Sequence, residues 1–163
     1  VKRLFSILAV VVFCAAGAPD AAADASADFS WPLSPRPDIA ATFDPPEFDW
    51  LPGHRGVDLS GTEGQSVLAA GDGVVVHAGL VAGKPVVSID HSNGLRTTYE
   101  PVVASVAAGD RVARGDVVGT LTAGHGACSP ACLHWGVRRG REYLDPLRLV
   151  RPTPIRLKPF QPS

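Results

Sequence analysis

The chain has 163 residues, room for about one domain of ordinary size. A formal net charge of −1 with 19% charged residues leaves no concentrated basic surface of the kind nucleic acid requires. A hydrophobic fraction of 45% supplies a core, while 17 Gly and 15 Pro alongside abundant Val favour short strands and tight turns over helices.

The first 27 residues read as a secretory signal peptide. Lys2 and Arg3 precede an apolar run over 4–16, and small residues continue to Ala27. The run is short for a membrane span. Ala23 and Ala27 both suit cleavage, and bulky Phe13 before Cys14 argues against a lipid anchor. The expected mature protein is therefore secreted, extracellular or in the cell wall. It retains Cys128 and Cys132, and export favours a disulfide between them. Its loop is short, so its role would be local shape more than entropic stabilisation.

Residues 28–53 are rich in Pro, Asp and aromatics and read as an irregular lead-in. From Gly56 the pattern becomes β-runs over 66–70, 73–77, 85–90, 95–99, 111–112, 117–121 and 133–138. Asn93-Gly94 signals a two-residue hairpin. His91 reads as a turn residue, and His77 as a structural strand end. Asp44, Asp72, Asp90, Asp110 and Asp116 sit beside Gly or Pro, or close to them, and read as turn formers. Arg138, Arg139 and Arg141 read as a solvated hairpin end, with carboxylates of a peptide as the other possibility. A tail over 151–163 carries four prolines and is expected to be extended or disordered, leaving one domain over 28–150.

Two segments carry chemistry. Gly53-His54-Arg55-Gly56-Val57-Asp58-Leu59 is flanked by Pro and Gly, so it reads as extended chain. Residues two and four apart then share a face. His54, Gly56 and Asp58 point one way, Val57 and Leu59 the other. An imidazole and a carboxylate offered together suit zinc. Cys132-Leu133-His134-Trp135 alternates likewise, and His134 would complete a His-Asp-His set with one tetrahedral position open. Reduced, Cys132 could close that position as a fourth ligand; in a disulfide it could not.

Taken in order, G-H-R-G-V-D-L, A-A-G-D-G-V-V-V, V-S-I-D-H-S-N-G-L-R-T-T-Y and C-L-H-W-G-V resemble the lysostaphin-type (LytM-like) zinc endopeptidases of bacterial cell walls, over about residues 43–149. The resemblance implies an all-β antiparallel sandwich, akin to a barrel-sandwich hybrid, with a metal groove. It also implies one Zn2+ held by His54, Asp58 and His134, and peptidoglycan peptides as substrate. Members of that family use two further histidines near the metal-bound water. Pro101 and Cys132 stand in those two places here. Glu100 and His125 are then the candidates for handling protons. The opposing reading is a degenerate domain that binds peptidoglycan or activates a partner cell-wall hydrolase. A lipoyl-type carrier is suggested by the 106–121 segment, but Lys84 and Lys158 are poorly placed for modification.

Overall fold

The computed structural model describes residues 28–48, 50–124 and 130–151. The expected signal segment, the tail beyond Arg151, His125 and Cys128 lie outside the described residues.

Two antiparallel sheets enclose one core. The larger runs, in spatial order, β1 (Ile39–Ala41), β2 (Gly56–Gly61), β10 (Ala131–Arg139), β6 (Leu95–Glu100), β5 (Lys84–Asp90), β4 (Gly73–Val81) and β8 (Arg111–Val112), with β11 (Glu142–Leu144) also pairing β10. The smaller runs β3 (Ser66–Leu68), β9 (Val117–Leu121) and β7 (Val102–Ala104). A short helix, α1 (Leu147–Val150), follows. The expected sandwich is the fold.

Alternation decides which face is which. On β10, Leu133, Trp135 and Val137 are at most 1% exposed and enter the core, so Cys132, His134, Gly136 and Arg138 take the opposite face. On β6, Leu95, Thr97 and Tyr99 face inward and Arg96, Thr98 and Glu100 outward. Val57, Leu59, Val87 and Ile89 from the large sheet meet Val67, Val102, Val118 and Leu121 from the small one. The outward face of β2, β10, β6 and β5 carries Asp58, His134, Glu100 and Lys84, and is the face on which the resemblance leads one to expect a groove.

Several turns differ from expectation. Residues 91–94 form a four-residue connection, not a two-residue one: the main chain of His91 pairs with Leu95, and Asn93 Oδ1 accepts from the Leu95 amide at 3.1 Å. Only Gly94 there has positive φ, 78°. The two-residue hairpin lies instead at Ala82-Gly83, φ 50° and 83°, where Val81 pairs Lys84. Strand β4 consequently runs four residues past His77. The lead-in holds a strand, β1, whose three residues carry too little pattern to be read. Asp110 and Asp116 do form turns, each accepting a main-chain amide at 2.8 Å, whereas Asp90 pairs with Arg96.

Candidate metal centre

His54 precedes β2, where its main chain bridges Asp44 in both directions, at 2.7 and 3.0 Å. Asp58 lies within β2, directly across from His134 on β10. Two distant segments are thus brought together by one ladder. Val57 and Leu59, both fully buried, fix the face on which Asp58 emerges.

The three side chains converge on one point. His54 Nε2 is 3.0 Å from Asp58 Oδ1 and 3.0 Å from His134 Nδ1, and His134 Nδ1 is 2.9 Å from Asp58 Oδ1. His54 Nδ1 lies 2.6 Å from the Thr42 carbonyl oxygen. A carbonyl only accepts, so Nδ1 carries the proton and Nε2 presents its lone pair to the other two groups. This backing by Thr42 was not legible in the sequence, because it is a main-chain contact from the lead-in. With the His134 proton on its other ring nitrogen, all three atoms can offer lone pairs to one cation among them. The triangle's edges approach the spacing of about 3.3 Å between ligands of a tetrahedral zinc site. Exposures of 23%, 12% and 18% leave the triangle reachable from the groove.

Gly56 makes the convergence possible. A Cβ there would lie 2.7 Å from His134 Nε2 and 2.5 Å from the Trp135 carbonyl oxygen. The gap expected between the two ligands of the first motif is thus filled by the third.

Residues 52–146 match Peptidase family M23. The chain belongs to that family. A protein of Mycobacterium tuberculosis, described as uncharacterized, is 51% identical over 167 residues, covering 98% of this chain and 66% of its own length. The chain thus spans just under two thirds of that relative. A DD-carboxypeptidase/endopeptidase, Mpg, of Neisseria meningitidis is 31% identical over 102 residues, 62% of this chain and 24% of that protein. Lysostaphin from Staphylococcus simulans superimposes with a TM-score of 0.60 at 22% identity, over 70% of this chain and 50% of that one, a likeness of fold.

Around this M23 centre, Glu100 stands on β6 directly across from His134, on the groove face, and its carboxylate accepts from Lys84 Nζ at 2.7 Å. Lys84, two strands from the metal residues and far from them in sequence, is the groove residue that sequence reasoning missed. Pro101 and Cys132 are both buried. Cys132 lies across from Ser60, one turn of the alternation before His134.

His91 is not a simple turn residue. It is 8% exposed, its Nδ1 donates to the Asp72 carbonyl at 2.8 Å, and its Nε2 accepts from Thr97 Oγ1 at 2.8 Å. Burial pushes its imidazole below the ordinary value. With Thr97 donating to His91, Tyr99 donates to Thr97 at 2.9 Å and accepts from the Ala70 amide at 2.9 Å. Burial pushes the Tyr99 hydroxyl up to about 12, so it stays protonated. This chain of hydroxyls ties β6 to the connection between β3 and β4.

Proposed function

We propose that this M23 protein is a secreted zinc metallopeptidase that hydrolyses peptide cross-links of peptidoglycan. The observation that carries the reading is the triangle of His54 Nε2, Asp58 Oδ1 and His134 Nδ1, with edges of 2.9–3.0 Å, partly exposed to solvent. The Neisseria relative, a DD-carboxypeptidase/endopeptidase by name, supplies the reaction class.

A zinc ion held there contributes Lewis acidity and a lowered pKa for water. This chain's own groups do the rest. Thr42 fixes the His54 tautomer, and Gly56 lets the His134 ring sit against β2. Glu100, across the ladder from His134, takes the proton of the attacking water at its carboxylate and returns it to the leaving amine. Lys84 orients that carboxylate. His125, in the glycine-rich segment before Cys128, is the second candidate for that proton. A Cys128–Cys132 disulfide would keep the Cys132 sulfur off the metal and the fourth position open.

The second reading is a catalytically silent zinc-binding domain that grips peptidoglycan or activates a partner hydrolase. It is favoured by Pro101 and Cys132 at the positions where related enzymes are expected to carry histidines. One experiment separates the two: zinc content and hydrolysis of purified peptidoglycan, for the wild type and His54→Ala. Zinc-dependent release of peptides, lost in the variant, supports the peptidase. A folded protein with one zinc and no turnover overturns it in favour of the binding domain.

A further inference from the structure

Three rungs of the large sheet lie in register on the groove face. The first holds Asp58, His134 and Glu100. The second holds Gly56, Gly136, Thr98 and Ser88: the His134 ring covers Gly56, and beyond it the floor is low, one glycine and then a hydroxyl pair with Thr98 Oγ1 and Ser88 Oγ 3.2 Å apart. The third holds Arg138, Arg96 and Asp90. The floor therefore runs from the metal triangle over a shallow polar saddle to two guanidiniums.

The third rung is electrostatically incomplete. Arg96 and Arg138 are directly opposite each other, a pairing of like charges that disfavours the sheet unless something neutralises it. Asp90 hydrogen-bonds only one of them: Arg96 Nη2 donates to Asp90 Oδ2 at 2.7 Å, and Arg96 Nε donates to Oδ1. The hydrogen bonds from Arg96, together with the charges of Arg96 and Arg138, hold the Asp90 carboxyl below its usual range against the opposing effect of burial. Arg138 Nη1 donates to the neutral Gly140 carbonyl at 3.1 Å. A cavity of about 340 Å³ opens at this rung, lined by Asp90, Arg96, Arg138 and Gly140 among others. Two guanidiniums face it against one carboxylate.

We infer that Arg138, with Arg96 beside it, binds a carboxylate of the substrate peptide at the far end of the groove. Four residues of β10 separate His134 from Arg138, about 14 Å at strand rise. An extended peptide covers that distance in about four residues. The carboxylate is therefore a chain terminus or acidic side chain about three or four residues from the bond cut at the metal, allowing for the reach of the arginine. A guanidinium meets a carboxylate through paired hydrogen bonds, so this end selects for a planar anion over a neutral amide. The assignment rests on the reading that the groove takes a peptide.

The test uses the zinc-loaded full chain and a synthetic cross-linked stem peptide prepared with a free C-terminal carboxylate or as its amide. Affinity is measured by calorimetry, and hydrolysis of both peptides is followed separately. The acid is expected to bind about tenfold more tightly than the amide, in keeping with a charged hydrogen bond. Arg138→Gln should abolish that preference without changing zinc content. Asp90→Asn, which releases Arg96 from its partner, should enlarge it. Equal binding of acid and amide by a wild type that hydrolyses both overturns the clamp and leaves the peptidase reading intact. A preference for the acid without hydrolysis supports the clamp and overturns the peptidase. Failure of both peptides to bind overturns the clamp too.

Discussion

His134 and Gly56 occupy one space: the imidazole of the first lies where the second would carry a side chain, 2.7 Å from an ideal Cβ. The ring could swing aside, but the Trp135 carbonyl oxygen at 2.5 Å belongs to the β10 main chain and cannot. Gly56→Ala is therefore expected to push β2 and β10 apart at the rung that aligns Asp58 with His134. Overpacking of this kind costs about 1–3 kcal/mol. Zinc affinity should fall at least tenfold, read by competition with a chromogenic chelator, alongside a lowered melting temperature. Wild-type zinc affinity in Gly56→Ala would refute the steric coupling.

Metal should stabilise the fold as well as arm it. The ligands come from the segment before β2, from β2 itself and from β10, so an ion bound by all three opposes separation of these strands. Binding to the folded state alone adds about 2.7 kcal/mol when free ligand is a hundred times its Kd. Chelation should lower the melting temperature of the wild type, and zinc should restore it. His54→Ala should melt at the same temperature with and without chelator. A wild type indifferent to chelator would argue against the centre.

The ladder explains how much of this centre could be read from residues alone. Alternation within each extended segment gave the face of His54, Asp58 and His134, but it was the resemblance of the ordered motifs to the lysostaphin-type enzymes that joined the two segments into one ligand set. The β-runs at 111–112 and 117–121 were legible as valine-bearing stretches broken by Gly-Asp turns and coincide with β8 and β9. Strand β1 was not, since three residues in a proline-rich stretch show no period. Nor was Thr42, which contributes a carbonyl that any residue type carries. His91 does open the turn, its carbonyl accepting from the Gly94 amide, but its burial was not legible because that depends on Asp72 and Thr97 from neighbouring chain. Lys84 was set aside as a residue before proline, although its place after the Ala82-Gly83 turn puts it beside Glu100.

Stability should fall on mild acidification because of His91. Burial lowers its pKa from the ordinary 6.5, partly offset by the hydrogen bond to the Asp72 carbonyl and the nearby Asp90 and Asp72 charges. The unfolded chain therefore takes up this proton first as pH drops. The contribution of the neutral ring is fully present above about pH 6.5 and is lost progressively below it, towards the lowered native value. Urea unfolding at pH 8 and pH 5.5 should show the decline in apo wild type. His91→Gln should start less stable and show a shallower decline over the same interval. Parallel slopes would place the titration elsewhere.

Behind His91, the Tyr99 hydroxyl accepts the Ala70 amide proton and donates to Thr97. Tyr99→Phe leaves that buried amide without its acceptor, at a cost of about 1–3 kcal/mol. The midpoint of urea unfolding should drop with little change in slope. A shift of less than about 0.5 kcal/mol would mean the hydroxyl chain does not anchor the connection between β3 and β4 energetically.

Glu100 and Lys84 offer the sharpest check on chemistry. Glu100 is placed across from His134 by the ladder, and Lys84 holds it at 2.7 Å with half of the lysine side chain exposed. An exposed pair contributes at most about 1 kcal/mol to folding, so Lys84→Met should melt close to wild type. Its effect should fall on turnover instead. Glu100→Gln removes the proton acceptor and is expected to lower kcat about a hundredfold or more with zinc content unchanged. Lys84→Met, acting only through the orientation of Glu100, should lower kcat several-fold with KM near wild type, and Lys84→Arg should recover most of the loss. In the Glu100→Gln background, removing Lys84 should add nothing. Additive losses in the double variant would show that Lys84 acts on the substrate directly, not through the carboxylate it holds.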